Sequence, residues 1–242
     1  MLISLVKTII IQRINPDIEV DLESFLSREH SIRQYSSTEE LSIAIKQYEK
    51  SEGKVRGSLL IDYNYDIPQK YRNGFEIISD KTTVKAVASV EYTIVNEVKG
   101  SGNIEHLFLV TSNISHNKLL GSVLYKVFGV DPFLRVTFSF TSSNHQRIEN
   151  VFDDVVKIRG DDITDQHLRN LAVTGSRIFD STEYIKAFTG EIMYLGLQMD
   201  SQWFIVNKNG RITIYRTLSD EAYVNFIIKI VSKLLSVGAV NL

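Results

Sequence analysis

The front and back of this chain echo each other, and a polypeptide that repeats a run of elements must fold into something that accommodates the run twice. Val6–Ile14 is a β-rich run followed by the turn residues Asn15-Pro16-Asp17 and a short helical stretch over Asp21–Leu26. Val155–Ile158 is likewise followed by Arg159-Gly160-Asp161-Asp162 and a helical stretch over Thr164–Ala172. Tyr35–Glu39 and Phe179–Glu183 each place Ser, Thr and Glu where a helix would be capped. Strand-like runs then follow, Gly57–Tyr63 in one half and Gly190–Gly196 in the other. Each half also has an Asn-Gly pair, Asn73-Gly74 leading to Phe75–Ile78 and Asn209-Gly210 leading to Arg211–Tyr215. Asn-Gly accepts positive φ at both central positions of a tight turn, so both read as hairpins.

Both halves next change period. Ser79-Asp80 opens a stretch with Val84, Val87, Ala88, Glu91, Ile94, Val95 and Val98. Ser219-Asp220-Glu221 opens one with Val224, Ile227, Ile228, Val231, Leu234 and Leu235. The spacing predicts a long helix in each half behind a serine cap. The first stretch is rich in Val and Thr, so propensity alone would also allow a strand there. A strand is expected over His106–Thr111 after the Gly100-Ser101-Gly102 link. Between the halves, Asn117–Phe128 reads as a helix and Phe133–Thr141 alternates like a half-buried strand, with Asp131-Pro132 between them. The expected organisation is an N-terminal half-repeat over 1–111, an inserted segment over 112–150 and a C-terminal half-repeat over 151–242. The fold class is α+β, an internally duplicated antiparallel sheet with helices on one face.

Strand, short helix, Asn-Gly hairpin and long helix, duplicated in one chain, resembles the saddle fold of the TATA-binding protein family. The best-matching stretch is 184–238. Tyr184–Tyr194 is similar to that family's Tyr…Phe-Pro-Gly strand, Trp203–Ile212 to its strand through Ser-Ser-Gly-Lys, and Leu218–Glu221 with the helix ending Lys233–Gly238 to its last helix. The family bends DNA by wedging apolar side chains into the minor groove. The resemblance therefore implies DNA as a partner, with Phe188 and Tyr71 at two wedge positions and Arg211 as the basic residue after the turn. Val55 and Asn207 occupy the other two wedge positions, Phe75 stands where the first half would carry a cation, and Tyr194 where the family has a strand arginine. Two wedges and some phosphate-neutralising cations are thus missing, so the fold can be shared without the binding.

The side chains themselves point to binding rather than catalysis. Basic residues interleaved with aromatics are how a sheet holds nucleic acid. Lys70, Tyr71 and Arg72 form one such group, and Trp203, Lys208, Arg211, Tyr215 and Arg216 another; hairpin tips are also polar by default. With Phe188, the residues Lys70, Tyr71, Arg72, Asn207, Lys208 and Arg211 are the candidate nucleic-acid contacts. The chain carries 27 basic and 29 acidic side chains, a formal charge of −2, so net charge supplies no attraction to nucleic acid or to an anionic membrane and a local basic face is required. The expected function is therefore non-enzymatic nucleic-acid binding through a pseudo-symmetric sheet face, with DNA the preferred ligand; the charge balance and the missing wedges support the alternative, a protein-interaction or self-assembly module built on the same fold.

Catalysis finds no support in the motifs. Asp153, Asp154, Asp161, Asp162 and Asp165 cluster in sequence, but without an EF-hand spacing or a following Glu-x-Lys they read as solvated turns and caps. His30, His106, His116, His145 and His167 are scattered, with no His-Glu-x-x-His and no i, i+4 pair. No Gly-x-Ser-x-Gly elbow, phosphate-binding glycine loop or cysteine is present. Asn113-Ile114-Ser115 fits a glycosylation acceptor only formally. No enzyme, no cofactor and no metal are expected. At 43% hydrophobic and 23% charged the composition is that of a globular chain. The first eleven residues do not resemble a secretory signal and no apolar run approaches about 18 residues, so the expectation is a cytoplasmic protein without a membrane partner.

Overall fold

The computed structural model describes residues 7–26, 32–36, 38–51, 53–110, 114–161, 170–176, 178–180, 192–215 and 218–241. Strand β1 (Lys7–Ile14) runs into a 3-10 turn (Pro16–Ile18) and helix α1 (Glu19–Leu26). Asn15 starts this turn by accepting the Asp17 amide on Oδ1 at 3.1 Å, and Pro16 follows where a missing N–H costs nothing. Strands β2 (Ile32–Ser36), β3 (Leu41–Ser51), β4 (Lys54–Asn73), β5 (Glu76–Val98) and β6 (Ile104–Val110) then form an antiparallel meander, closed by helix α2 (Ile114–Phe128).

Strands β7 (Phe133–Arg135) and β8 (Thr137–Phe138) and helix α3 (Ser142–Val151) lead to β9 (Asp154–Asp161) and β10 (Asn170–Thr174). A second 3-10 turn (Ile178–Asp180) precedes β11 (Ile192–Met199), β12 (Gln202–Asn207) and β13 (Arg211–Ile214). Helix α4 (Asp220–Ser236) and β14 (Val240–Asn241) end the described chain. The protein is α+β with one large antiparallel sheet, in the order β10-β9-β11-β12-β13-β1-β6-β5-β4-β3-β2, with β7 also on β1 and a separate β8–β14 pair.

Among the described strands, β1 joins the two ends of that sheet. Its residues Lys7–Ile10 pair with β13, and Ile11–Arg13 pair with β6. Side chains on a strand alternate between faces, and here neighbours go to different cores. Phe108 joins α1, α2 and the even-numbered residues Ala88–Ile94 of β5, while Leu107 and Leu109 join α4, Val95 and the strands of the C-terminal half. On β1, Ile9 and Ile11 belong to the second core and Ile14 to the first. The helices therefore cover opposite faces, α1 and α2 at one end and α4 at the other, and the expected arrangement with helices on one face is corrected. The two ends also differ in strand order. In the first, the opening strand β1 lies beside the closing strand β6; in the second, the opening strand β9 lies between β10 and β11.

Local signals decided several elements as expected. Ser219 caps α4, its Oγ accepting the Ala222 amide at 3.3 Å, and α2 and the strand at 106–110 stand where periodicity put them. Two long segments differ. The capping residues at 35–39 open no helix: β2 ends at Ser36, Thr38–Glu40 turn with Glu40 at φ 53°, and β3 follows. Leu41, Ile43 and Ile45 are buried on alternate positions, a strand period that outweighs the caps. The 79–98 stretch is the strand β5, in which Ala88, Val90, Tyr92 and Ile94 are buried at period two. Its β-branched residues suit a pleated surface better than a helix.

The strand expected over 133–141 is two short strands, and the chain turns helical at Ser142. In the C-terminal half, Asn170–Ala172 belong to strand β10 rather than a helix, and Ile178–Asp180 form only the 3-10 turn. Residues 162–169 and 181–191, where the remaining parts of those helices and the 190–191 strand start were expected, lie outside the described residues.

Candidate binding surfaces

The first surface is a β ribbon. Strands β4 and β5, 20 and 23 residues long, pair without a register shift from Lys54–Val95 to Asn73–Glu76. Strand β3 reaches only to Ile61 on β4 and β6 only to Tyr92 on β5. Beyond Tyr63 and Ala86 no described strand flanks the ribbon, which continues as an arm of about ten pairs, roughly 35 Å at the usual strand rise, tied at its root by Lys85 Nζ donating to the Glu40 carbonyl at 2.7 Å. The cross-strand pairs Tyr65–Val84, Ile67–Thr82 and Tyr71–Ile78 continue the face that, at Ile61–Ala88, is buried under α1 and α2. Along the arm nothing described covers it. Tyr65 is 53% exposed, Tyr71 50%, and Phe75 in the turn 100%.

The opposite face of the arm is polar. Asp66 accepts from Lys81 Nζ at 2.8 Å and from Thr83 Oγ1 at 2.7 Å, and these bonds, with the ammonium charge, hold its carboxyl below the usual carboxylate range. Lys70 pairs with Ser79 and Arg72 with Ile77 on this side, and Arg72 Nε donates to the Gly74 carbonyl at 2.7 Å. The three residues expected to act together are therefore split: Tyr71 lies with the apolar face and both cations behind it, because adjacent strand residues point opposite ways.

The second surface is the face of β9, β11, β12, β13 and β1 opposite α4. Leu195, Leu197, Phe204, Val206, Ile212 and Ile214 are buried against α4, so the intervening Tyr194, Trp203, Ile205, Asn207, Arg211 and Tyr215 lie on the other side with Ile10. Among the described residues no helix covers them. The rings of Trp203 and Tyr215 stack at 4.3 Å, and Trp203 is 36% exposed. The indole rests on Gly196, where an added Cβ would come within 3.4 Å of Nε1. Lys157 Nζ lies 5.9 Å from the centre of the Tyr194 ring, and Arg159 pairs with Tyr194.

Of the predicted residues, Asn207 and Arg211 face each other across β12–β13, and Lys208 sits in the loop between them, its amide donating to the Met193 carbonyl at 2.9 Å. Phe188 and Arg216 lie outside the described residues. The two predicted groups do not meet, since β1, β6 and the length of the arm separate them. The hairpins do not join edge to edge. Sequence reasoning missed Lys157 and Arg159, and it noted Tyr194 only as a missing arginine; all three depend on the β9–β11 register and its irregularity after Gly196, which a single sequence does not encode locally.

Other chemistry-bearing groups are dispersed. Asp153 precedes β9, Asp154 begins it and Asp161 ends it, roughly 20 Å away at the usual rise, while Asp162 and Asp165 lie outside the described residues. No group of three or more His, Asp or Glu side chains suited to a metal occurs among the described residues. His106 Nε2 meets Glu19 Oε1 at 2.9 Å. The imidazole of His145 stacks flat on Phe179 at 4.3 Å, and burial lowers its pKa against the opposing pull of the Phe140 carbonyl. No described helix is long and apolar enough to cross a membrane. No family model and no curated protein matches the chain.

Proposed function

We propose that this protein is a non-enzymatic assembly module and that the β4–β5 arm is its docking element. The observation that carries this reading is the fully exposed Phe75 at the end of a ribbon whose apolar face continues beyond its own core. A two-stranded ribbon is marginal in water by itself. Burying a large apolar side chain is worth about 1.5–3 kcal/mol, so covering Tyr65, Ile67, Tyr71, Phe75 and Ile78 would yield a gain of several such increments. An exposed patch of this kind marks an interaction site.

A second reading, nucleic-acid binding, is favoured by the Trp203–Tyr215 stack with Lys157, Arg159 and Arg211 nearby, the aromatic and cationic pattern that holds single strands. It needs only the C-terminal half. A saddle of the TATA-binding-protein kind is not required for it, and the opposite placement of the helices gives such a saddle no continuous open face.

Sedimentation velocity of the full chain over a hundredfold concentration range tests the first reading. Association is expected, and it should disappear when residues 64–85 are replaced by an Asn-Gly turn joining the Tyr63–Ala86 pair. A chain that remains monomeric, shifts a labelled oligo-dT with steep salt dependence and is indifferent to shortening of the arm would establish the second reading instead.

A further inference from the structure

We propose that the arm of one copy lies across the open C-terminal face of a second copy; this rests on the assembly reading above and names its partner. The arm has no route back to its own C-terminal face. Its register is unbroken to the tip, so it has no bulge at which to bend, and β6 and β1 stand between its root and β13. The occupant of the open face is therefore a neighbour's arm.

The two surfaces complement each other in both polarity and charge. The apolar side of the arm carries Tyr65, Ile67, Tyr71 and Ile78, and the same side bears Asp80, opposite Gln69, and Glu76, opposite Asn73. The open face offers Trp203, Ile205 and Ile10, flanked by the cations Lys157, Arg159 and Arg211. Each side thus presents hydrophobic side chains beside charges of opposite sign, an arrangement that selects partner and register. Size agrees as well. Five strands at about 4.8 Å spacing make a face some 20 Å across, which an arm of roughly 35 Å spans. The docking side of the arm, with its turn, presents about a dozen residues, roughly half of one side of a standard interface, which suits a weak, concentration-dependent contact.

Because arm and face are different patches, the contact closes either as a two-fold dimer in which each arm lies on the other copy's face, or head-to-tail as a ring or a filament. The formal charge of −2 offers no general repulsion between copies.

A charge swap tests the contact. Glu76→Lys with Asp80→Lys in the arm, and Lys157→Glu with Arg159→Glu on the face, are each expected to weaken self-association about tenfold or more in sedimentation equilibrium, since like charges are brought together. All four substitutions in one chain should restore it to within about threefold of the original, as should an equimolar mixture of the two double variants for the complementary half of the contacts. Thermal melts and circular dichroism confirm folding, and Phe75→Ser offers an independent arm lesion at a fully exposed position. If the arm variants and the shortened arm abolish association but the face variants leave it intact, or if the fourfold variant is not rescued, the arm docks elsewhere: this inference fails and the assembly reading survives. If shortening the arm changes nothing, both fail.

Discussion

The chain contains two Asn-Gly hairpins, and their surroundings are opposite. At 73–74 the turn ends a ribbon in open solvent, with Gly74 at φ +62° and nothing within 4 Å of where a Cβ would be. At 209–210 the turn is built into the sheet junction. Gly210, at φ +79°, lies against the Val136 carbonyl, and its own carbonyl accepts from the Ile11 amide at 2.7 Å. The turns also differ in type. The first is a two-residue loop, Gly74-Phe75, and the second a three-residue loop, Lys208–Gly210, closed by the Gly210 amide on the Asn207 carbonyl at 3.0 Å. In neither does the Asn take positive φ; the pair of non-glycine residues that does so is Asp200-Ser201 in the β11–β12 hairpin. A short sequence signal thus establishes that the chain reverses, but not which loop does it nor what it touches.

The sharpest test of this difference is alanine at each glycine. Gly210→Ala adds backbone strain and a clash with Val136 and should cost about 3 kcal/mol or more in urea unfolding, whereas Gly74→Ala should cost only about 1 kcal/mol. Equal losses would mean that the second turn is as free as the first. Next in size is Gly196→Ala, whose Cβ would stand 2.8 Å from Lys157 Cβ; a loss of about 1–2 kcal/mol is expected, with a shift in the emission of the single tryptophan, Trp203.

Acid separates the two regions differently. His145 has its pKa lowered from about 6.5 in the folded body, so the unfolded chain takes up its proton first. Stability from this group is complete above that value and declines as the pH falls below it. Melting temperatures between pH 7.5 and 5 should show a drop that His145→Gln reduces, while the arm's Asp66, held below the usual carboxylate range by Lys81, stays ionised. The smallest effect on folding is expected for Phe75→Ser, within about 0.5 kcal/mol of the parent in urea, alongside loss of self-association. A large stability loss there would mean that the arm packs on its own body.

Legibility in the sequence followed the range of the interaction. Candidate residues Asn207 and Arg211 were found together because a hairpin turn makes them cross-strand neighbours a few positions apart. Lys157 and Arg159 were not, because they reach that face through a strand some forty residues upstream. The arm's Lys70, Tyr71 and Arg72 were recognised as a hairpin tip, yet the helix expected over 79–98 hid the long partner strand that makes the tip an arm.

What the amino-acid sequence determined by itself was local: the Asn15 and Ser219 caps, the positions of α1, α2 and α4, and the two glycine turns, each settled by hydrogen bonds and backbone preferences within a few residues. Only the tertiary structure decided that 41–51 and 76–98 are strands, that β1 is shared by both ends of the sheet, and that α4 packs on the face opposite α1 and α2. The reason is that a strand acquires its hydrogen-bond partners, and a helix the face it covers, from residues far away in the chain, and one β-rich stretch can satisfy several such partners until the whole core selects among them.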